Sequence, residues 1–350
     1  MNEMPPNDSG EYSRAVYAPF PVDPFANEKR GIARAGLLAA CALTLLILMQ
    51  ELASAVLRAL LPYIGVYSEA IEGYTLDPTS TAYFAFCLAE YFFIFSLPIL
   101  LLLLTNRERA KQMVRPAETK KGLLLSVLLL FPVLLGMTYA MGSVSGVLLN
   151  VFSAFGLNEP ELFANDPTTT AGWICYALLL CVAAPLCEEL LFRGALLTLL
   201  RPYGAGFAVA CQAILFSVFH RTVAQMPYTV VGGLLFGYLA VRYGGILPSL
   251  LLHALNNGFS LVIVPLSDLV GDGMEEQLLF TAVIYVVMIA GGILIVGLWS
   301  KKKRDLFALP RGSTADKMPG ATAFRTFFAQ PAVIVYLLLS AYALIAGMVV

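Results

Sequence analysis

Two adjacent glutamates, Glu188 and Glu189, interrupt an apolar run of the sequence. A carboxylate at the depth of a bilayer costs about 2.5–3.5 kcal/mol on insertion scales, so such residues usually mark a functional site. Arg193 follows Glu189 by four residues, with the acid first, which is the favoured order for a helical ion pair. Glu188 is rotated by about 100° from Glu189 on a helix and is left as the reactive carboxylate. The alternative is a structural Glu189–Arg193 pair with a spare carboxylate at a helix end.

The chain has two histidines, His220 and His253, and both lie in apolar runs downstream. Phe216 lies four residues before His220, so its ring is expected to pack beside the imidazole. Asn257 lies four residues after His253, so both side chains can direct hydrogen bonds at one substrate oxygen. Taken singly, these residues could be packing histidines or polar contacts between helices. Together with Glu188 they supply a base for water and donors for an oxyanion, as peptide hydrolysis requires.

The composition predicts a membrane protein with many spans. Hydrophobic residues make up 59% of the 350 and charged residues 13%, whereas soluble domains are about 25% charged. The net charge of −1 argues against a nucleic-acid partner. The six cysteines all fall in apolar segments without a Cys-x-x-Cys pair, so we interpret them as small membrane residues.

The apolar runs predict an all-α, polytopic transmembrane bundle of about eight or nine spanning helices. The third run could re-enter the membrane, and the fourth is long enough to tilt, break or emerge into water. Glycines in the sixth run predict close helix packing. The runs are Gly36–Leu57, Ala82–Leu104, Gly122–Leu149, Ala171–Leu200, Gly206–Val223, Tyr228–Val241, Ile246–Pro265, Leu278–Trp299 and Ala332–Val350.

Basic and acidic loops alternate along these runs, which predicts a multi-pass protein with a cytoplasmic N-terminus. Arg221 is the one basic residue on the acidic side. No signal peptide is recognised, and the first span is expected to direct insertion. The expected divisions are a polar tail (1–31), N-terminal transmembrane helices (32–165), a catalytic core (166–300), a cytoplasmic linker (301–331) and a C-terminal transmembrane helix (332–350).

Three ordered patterns resemble the signature of the CAAX protease and bacteriocin-processing (CPBP) family of intramembrane glutamate endopeptidases. That family includes type II CAAX prenyl endopeptidases and abortive-infection-like proteins. The stretch from Gly244 to Asn257 is also typical of it, and the resemblance covers roughly a quarter of the chain. The patterns are Glu188-Glu189-x-x-x-Arg193, Phe216-x-x-x-His220 and His253-x-x-x-Asn257.

The resemblance implies a helical bundle around a water-accessible cavity that opens to the cytoplasm. It implies that Glu188 and His220 activate water, and that His253 and Asn257 form the oxyanion hole. The substrate would be a membrane-associated peptide or protein, such as a prenylated CAAX protein or a bacteriocin precursor with a leader sequence. The residues expected to orient the site are Glu189, Arg193 and Phe216.

Several alternatives to a metal-free protease stay open. Zinc could be held by Glu188, His220 and His253, although the chain has no HExxH helix and the glutamate mechanism requires no cofactor. A second alternative is a non-catalytic membrane scaffold or a bacteriocin-immunity-type protein that keeps the motifs for folding. A third is a small transporter in which Glu90 and the motif carboxylates relay protons, but it should show pseudo-symmetric halves, and the sequence has none.

Overall fold

A computed structural model describes residues 23–68, 73–107, 111–112, 115, 122–159, 166–270, 273–300 and 318–349. These residues are helical apart from connections and one short hairpin, in which Tyr67 of β1 lies opposite Tyr74 of β2. The all-α class is therefore confirmed. The elements are α1 (Ala26–Ile64), β1 (Val66–Ser68), β2 (Gly73–Thr75), α2 (Thr81–Thr105), α3 (Leu123–Ala154), α4 (Thr170–Tyr203), α5 (Ala205–His220), α6 (Met226–Tyr243), α7 (Leu247–Val270), α8 (Met274–Ser300), α9 (Gly320–Phe328) and α10 (Pro331–Val349).

Five of the described helices are long and apolar enough to cross a membrane, namely α1, α2, α3, α4 and α10. Shorter apolar helices lie in α5, α7 and α8. The chain is thus a multi-pass integral membrane protein. Each of the nine runs lies largely within a helix, although the fifth extends beyond the end of α5 at His220. That all nine span the membrane is still a prediction.

The first helix begins earlier than the sequence pattern indicated. It has 39 residues, which corresponds to about 58 Å at 1.5 Å per residue and exceeds a hydrocarbon core of about 30 Å. Its first turn, from Ala26, takes in the end of the predicted tail. Asp23 precedes that turn and accepts hydrogen bonds from the Phe25 amide and the Lys29 ammonium at 2.9 and 2.7 Å. Local polar bonding therefore starts the helix before the apolar residues do. Residues 1–22 of the predicted tail lie outside the described residues.

Helix α4, which was predicted to tilt, break or emerge into water because of its length, is continuous but irregular. Wide π-helical turns cover Leu179–Ala183 and Glu189–Leu196, on either side of a regular turn at Ala184–Glu188. Pro185 lies in that turn and has no N–H to donate. Such turns free backbone carbonyls and re-aim side chains, and they are frequent at functional sites. The glutamate pair stands where one wide turn begins.

Hydrogen bonds between loops indicate which helix ends lie on the same face of the bundle. At one face, Ile246 N donates to Arg115 O at 3.2 Å, and Met318 N donates to Glu28 Oε2 at 3.1 Å. These bonds join the connection after α2 to the turn after α6, and the start of α1 to the segment before α9. All four segments belong to the face whose loops are basic in sequence.

At the other face, Thr168 N donates to Thr79 O and Asn158 N donates to Met348 O, both at 3.1 Å. These bonds join the connection before α2 to the one before α4, and the end of α3 to the end of α10. The two groups agree with the alternation of loop charges. The basic face is predicted to be cytoplasmic by the positive-inside rule.

A helix that the sequence did not indicate lies in the predicted linker 301–331. Pro319 occupies the N-cap position of α9, and the helix ends before Pro331, where α10 begins. Proline is favoured at helix starts, so Pro319 and Pro331 mark where these two helices begin. Ala323 and Phe327 of α9 are buried, with the Phe327 ring 6.1 Å from that of Phe207 at the start of α5. Residues 301–317 lie outside the described part of the chain.

Helices α5 and α6 pack closely, as the glycines of the sixth run predicted. A Cβ added to Gly233 would lie 2.9 Å from the Ala213 Cα atom, so only glycine fits at this crossing. The buried Gln212 side chain donates to the Gly233 carbonyl at 2.7 Å across the same interface. This close approach brings the aromatic residues of α6 against the end of α5.

Candidate active site

The predicted ion pair between Glu189 and Arg193 is present and buried. Arg193 Nη1 donates to Glu189 Oε1 at 2.9 Å, and both side chains are fully inaccessible to solvent. The guanidinium carbon also lies 4.2 Å from the Phe216 ring centroid and 5.0 Å from that of Phe236. Arg193 is therefore held by a carboxylate and by two aromatic faces, which attract a desolvated cation.

Glu188 is also buried, with 4% of the residue exposed, but among the described residues no Lys or Arg forms a direct ion pair with it. Its Oε1 atom accepts a hydrogen bond from the Tyr91 hydroxyl of α2. Its Oε2 atom lies 3.6 Å from His253 Nε2 and has no hydrogen-bond partner among the described residues. One oxygen of this buried carboxylate is thus engaged, and the other faces an imidazole.

His253 connects the two glutamates. Its Nδ1 atom lies 3.0 Å from Glu189 Oε1, the same oxygen that accepts from Arg193. A carboxylate only accepts hydrogen bonds, so Nδ1 carries the proton and Nε2 is the nitrogen that faces Glu188. The imidazole also stacks on Phe236, with centroids 4.8 Å apart and planes inclined by 15°. Glu189 and Phe236 together fix the orientation of this ring.

His220 ends α5 and is half-buried beside this cluster. Its Nδ1 atom lies 2.7 Å from the Phe216 carbonyl oxygen, which can only accept, so Nε2 is free to take a proton in the neutral ring. The Phe216 ring packs edge-on against the imidazole with centroids 4.7 Å apart, as the spacing predicted. His220 interacts electrostatically with Glu188 and His253. The imidazole in close contact with the Glu188 carboxylate is nevertheless that of His253, whereas the resemblance pairs Glu188 with His220.

Arg221, the basic residue on the acidic side, is partnered rather than exposed alone. It caps α5 in the left-handed region, with φ of 50°, and its guanidinium donates to the Gln50 side chain of α1. The residue after His220 is therefore tied to a helix outside the three motifs.

Asn257 is half-buried on α7 and is already partly engaged. Its Nδ2 atom donates to the Leu180 carbonyl at 2.9 Å, in the first wide turn of α4. Its Oδ1 atom accepts from Asn256 Nδ2 at 3.4 Å. A primary amide has two hydrogens, so one N–H is left to reach a substrate oxygen. The wide turn thus presents a carbonyl that orients the amide.

The structure brings six of the seven predicted site residues into one cluster of direct contacts. Glu188, Glu189, Arg193 and His253 are joined by direct polar contacts, and Phe216 packs on the guanidinium and on both imidazoles. Asn257 is tied to α4 through the backbone. Within the described ranges, no group of three or more His, Cys, Asp or Glu side chains is arranged to hold a metal ion.

Two residues of this cluster were missed by sequence reasoning, Tyr91 and Phe236. Both are aromatic residues in apolar helices, where such residues are common and carry no charge pattern. Tyr91 follows Glu90, which was considered as part of a proton relay, but no sequence spacing relates α2 to the three motifs. That these two rings reach the site becomes apparent only when the helices are packed together.

Comparison with known proteins agrees with the motif resemblance. Residues 170–259 match the family model described as type II CAAX prenyl endopeptidase Rce1-like. No curated protein and no solved structure matches the chain. The matched segment begins at α4 and contains all seven motif residues, whereas α2 and Tyr91 lie outside it. Residues 170–259 are thus similar to the Rce1-like type II CAAX prenyl endopeptidase family, in agreement with the resemblance that the motifs carry.

Proposed function

We propose that this protein is an intramembrane endopeptidase that cuts a peptide bond near a membrane-bound end of its substrate. The observation that carries the proposal is the environment of Glu188. Its neighbour Glu189 is compensated by Arg193, but Glu188 is buried between a tyrosine hydroxyl and an imidazole. Burying a charge without an ion-pair partner costs several kcal/mol, which a purely structural role would not require.

In the proposed mechanism, Glu188 and His220 activate the attacking water. Glu188 Oε2 takes a proton as the water oxygen bonds to the substrate carbonyl carbon, and His220 Nε2 accepts a second hydrogen bond. The 3.6 Å between Glu188 Oε2 and His253 Nε2 exceeds direct hydrogen-bonding distance. Glu188 Oε2 therefore has no direct hydrogen bond to His253 and can accept one from the attacking water. The carboxylic acid then returns its proton to the leaving amine.

The developing oxyanion would be stabilised by Asn257 and His253. Asn257 has one amide hydrogen in excess of its bond to Leu180. His253 can donate from Nε2 when it is protonated, and Glu189 holds the opposite nitrogen in place. Donors fixed in advance stabilise such a charge without reorganisation, and one of them is worth about 10²–10³ in rate.

The mechanism that we propose uses no metal, and a zinc enzyme is the alternative. Zinc binding would use Glu188 and the Nε2 atoms of His220 and His253, since both Nδ1 atoms face acceptors. It would require these groups to converge more closely than they do among the described residues. Metal analysis of the purified protein, with activity measured after exhaustive chelation, separates the two. Activity retained at substoichiometric zinc supports the metal-free mechanism, and loss that zinc alone restores supports the alternative.

The family points to prenylated CAAX peptides as the first substrates to test, with leader-containing peptide precursors as the second class. Full-length protein in liposomes should cleave a prenylated CAAX peptide, and Glu188→Gln should abolish cleavage while leaving folding unchanged. Glu90→Gln is the matched control, because Glu90 is an intramembrane carboxylate outside the proposed chemistry. Cleavage that survives Glu188→Gln would refute the mechanism, and a chain without any proteolysis would favour the scaffold reading. Loss of activity in Glu90→Gln would instead favour a proton relay through α2.

A further inference from the structure

We propose that Tyr91 is a positioning residue of this site, which holds one oxygen of Glu188 so that the other oxygen acts on water. The inference rests on the proposed function. Tyr91 belongs to α2, outside the segment that matches the family, so nothing in that match assigns it a role. The contact with Glu188 adds α2 to the helices α4, α5 and α7, which carry the proposed catalytic residues.

The tyrosine is well placed to fix the carboxylate. Its hydroxyl donates to Glu188 Oε1, and its ring stacks on Phe95, with centroids 5.1 Å apart and planes inclined by 24°. Phe95 itself is completely buried. The phenol is therefore held by packing on one side and by a charge-assisted hydrogen bond on the other.

This bond makes the two oxygens of Glu188 inequivalent. Oε1 is engaged by Tyr91, whereas Oε2 faces His253 Nε2 at 3.6 Å. The terminal torsion of a glutamate is otherwise broad and nearly two-fold, so an unheld carboxylate would exchange its oxygens. Tyr91 selects Oε2 as the basic atom and holds it on the side of the imidazole.

A second path connects α2 to the other histidine. The Phe95 ring lies 5.6 Å from the Phe219 ring, which in turn lies 5.2 Å from the His220 imidazole. The aromatic series Tyr91, Phe95, Phe219 and His220 thus runs from the proposed base to its proposed partner. Helix α2 positions Glu188 by a hydrogen bond and His220 by ring packing.

The test is Tyr91→Phe in the full-length protein, assayed with the prenylated CAAX peptide. The ring and its stacking remain, and only the hydroxyl is lost. We expect kcat to fall by about 10- to 100-fold with KM within about twofold, because the substrate does not contact this hydroxyl. Tyr83→Phe, on the same helix two turns earlier, is the matched control and should leave kcat unchanged. A wild-type kcat in Tyr91→Phe, or a change in KM alone, would overturn the role.

Thermal unfolding supplies a measurement that does not depend on turnover. Tyr91→Phe should lower Tm in the wild-type chain but have little further effect in Glu188→Ala, because the acceptor is already gone. Equal effects in both backgrounds would show that the hydroxyl does not act through Glu188. If the wild-type protein cleaves no substrate, the proposed function fails and the role of Tyr91 fails with it. If the wild-type protein is active and Tyr91→Phe is unaffected, only the present inference fails.

Discussion

The buried Glu189–Arg193 pair predicts an asymmetry between the two single substitutions that remove it. Arg193→Met leaves Glu189 at zero exposure with His253 Nδ1 as its remaining donor. Removing one partner of a buried ion pair costs about 3–5 kcal/mol, because the other charge stays desolvated.

Glu189→Gln should cost less, about 1–3 kcal/mol. The Arg193 guanidinium keeps the ring faces of Phe216 at 4.2 Å and Phe236 at 5.0 Å, which stabilise a desolvated cation. The amide oxygen of the new glutamine can still accept from His253 Nδ1. The double variant has no unpaired charge, so its cost should fall short of the sum of the single costs by about 2 kcal/mol.

The assay is reversible unfolding of the full-length protein in detergent micelles with added sodium dodecyl sulfate. The free energy of unfolding is compared for wild type, both single variants and the double variant. An Arg193→Met cost equal to or below that of Glu189→Gln would refute the reasoning about Phe216 and Phe236. Additive costs would show that the two side chains do not compensate each other.

Two further predictions concern packing and the oxyanion. Gly233→Ala should lower the free energy of unfolding by about 1–3 kcal/mol, because the added Cβ meets Ala213 backbone at 2.9 Å. Gly142→Ala is the control, since its Cβ would meet nothing within 4 Å, and it should be neutral or stabilising. Asn257→Ala should lower kcat by about 10²–10³ with little change in KM, whereas Asn256→Ala should have a much smaller effect. An Asn257→Ala variant that changes KM alone would place this amide in substrate binding instead of the oxyanion hole.

The helical architecture was predictable because it depends on run length. Long apolar runs specify helices whatever their packing, and α2, α3 and α10 follow the sequence closely. The start of α1 was not predictable from hydropathy, because Asp23 nucleates it through local hydrogen bonds. Helix α9 was missed because residues 301–331 were predicted to be a linker, although Pro319 and Pro331 stand at the starts of α9 and α10.

Local pairs within the site were also predictable, and long-range ones were not. The Glu189–Arg193 and Phe216–His220 contacts follow from a spacing of four on a helix. The His253 bridge between both glutamates depends on how α7 packs on α4, and the Tyr91 bond depends on α2. The wide turns of α4 leave no sequence signal other than a proline. Contacts of this kind are fixed by tertiary packing, which a single sequence does not encode in its spacing.

The most direct test of the central claim compares the peptides in cell membranes that contain either the wild-type protein or Glu188→Gln at equal abundance. Mass spectrometry of membrane-bound and released peptides would reveal cleavage at defined bonds. We predict that a set of shortened peptides accompanies the wild-type protein and disappears with Glu188→Gln, while the uncut precursors accumulate. Identical peptide populations in the two membranes would contradict the assignment of Glu188 as the base of an intramembrane protease.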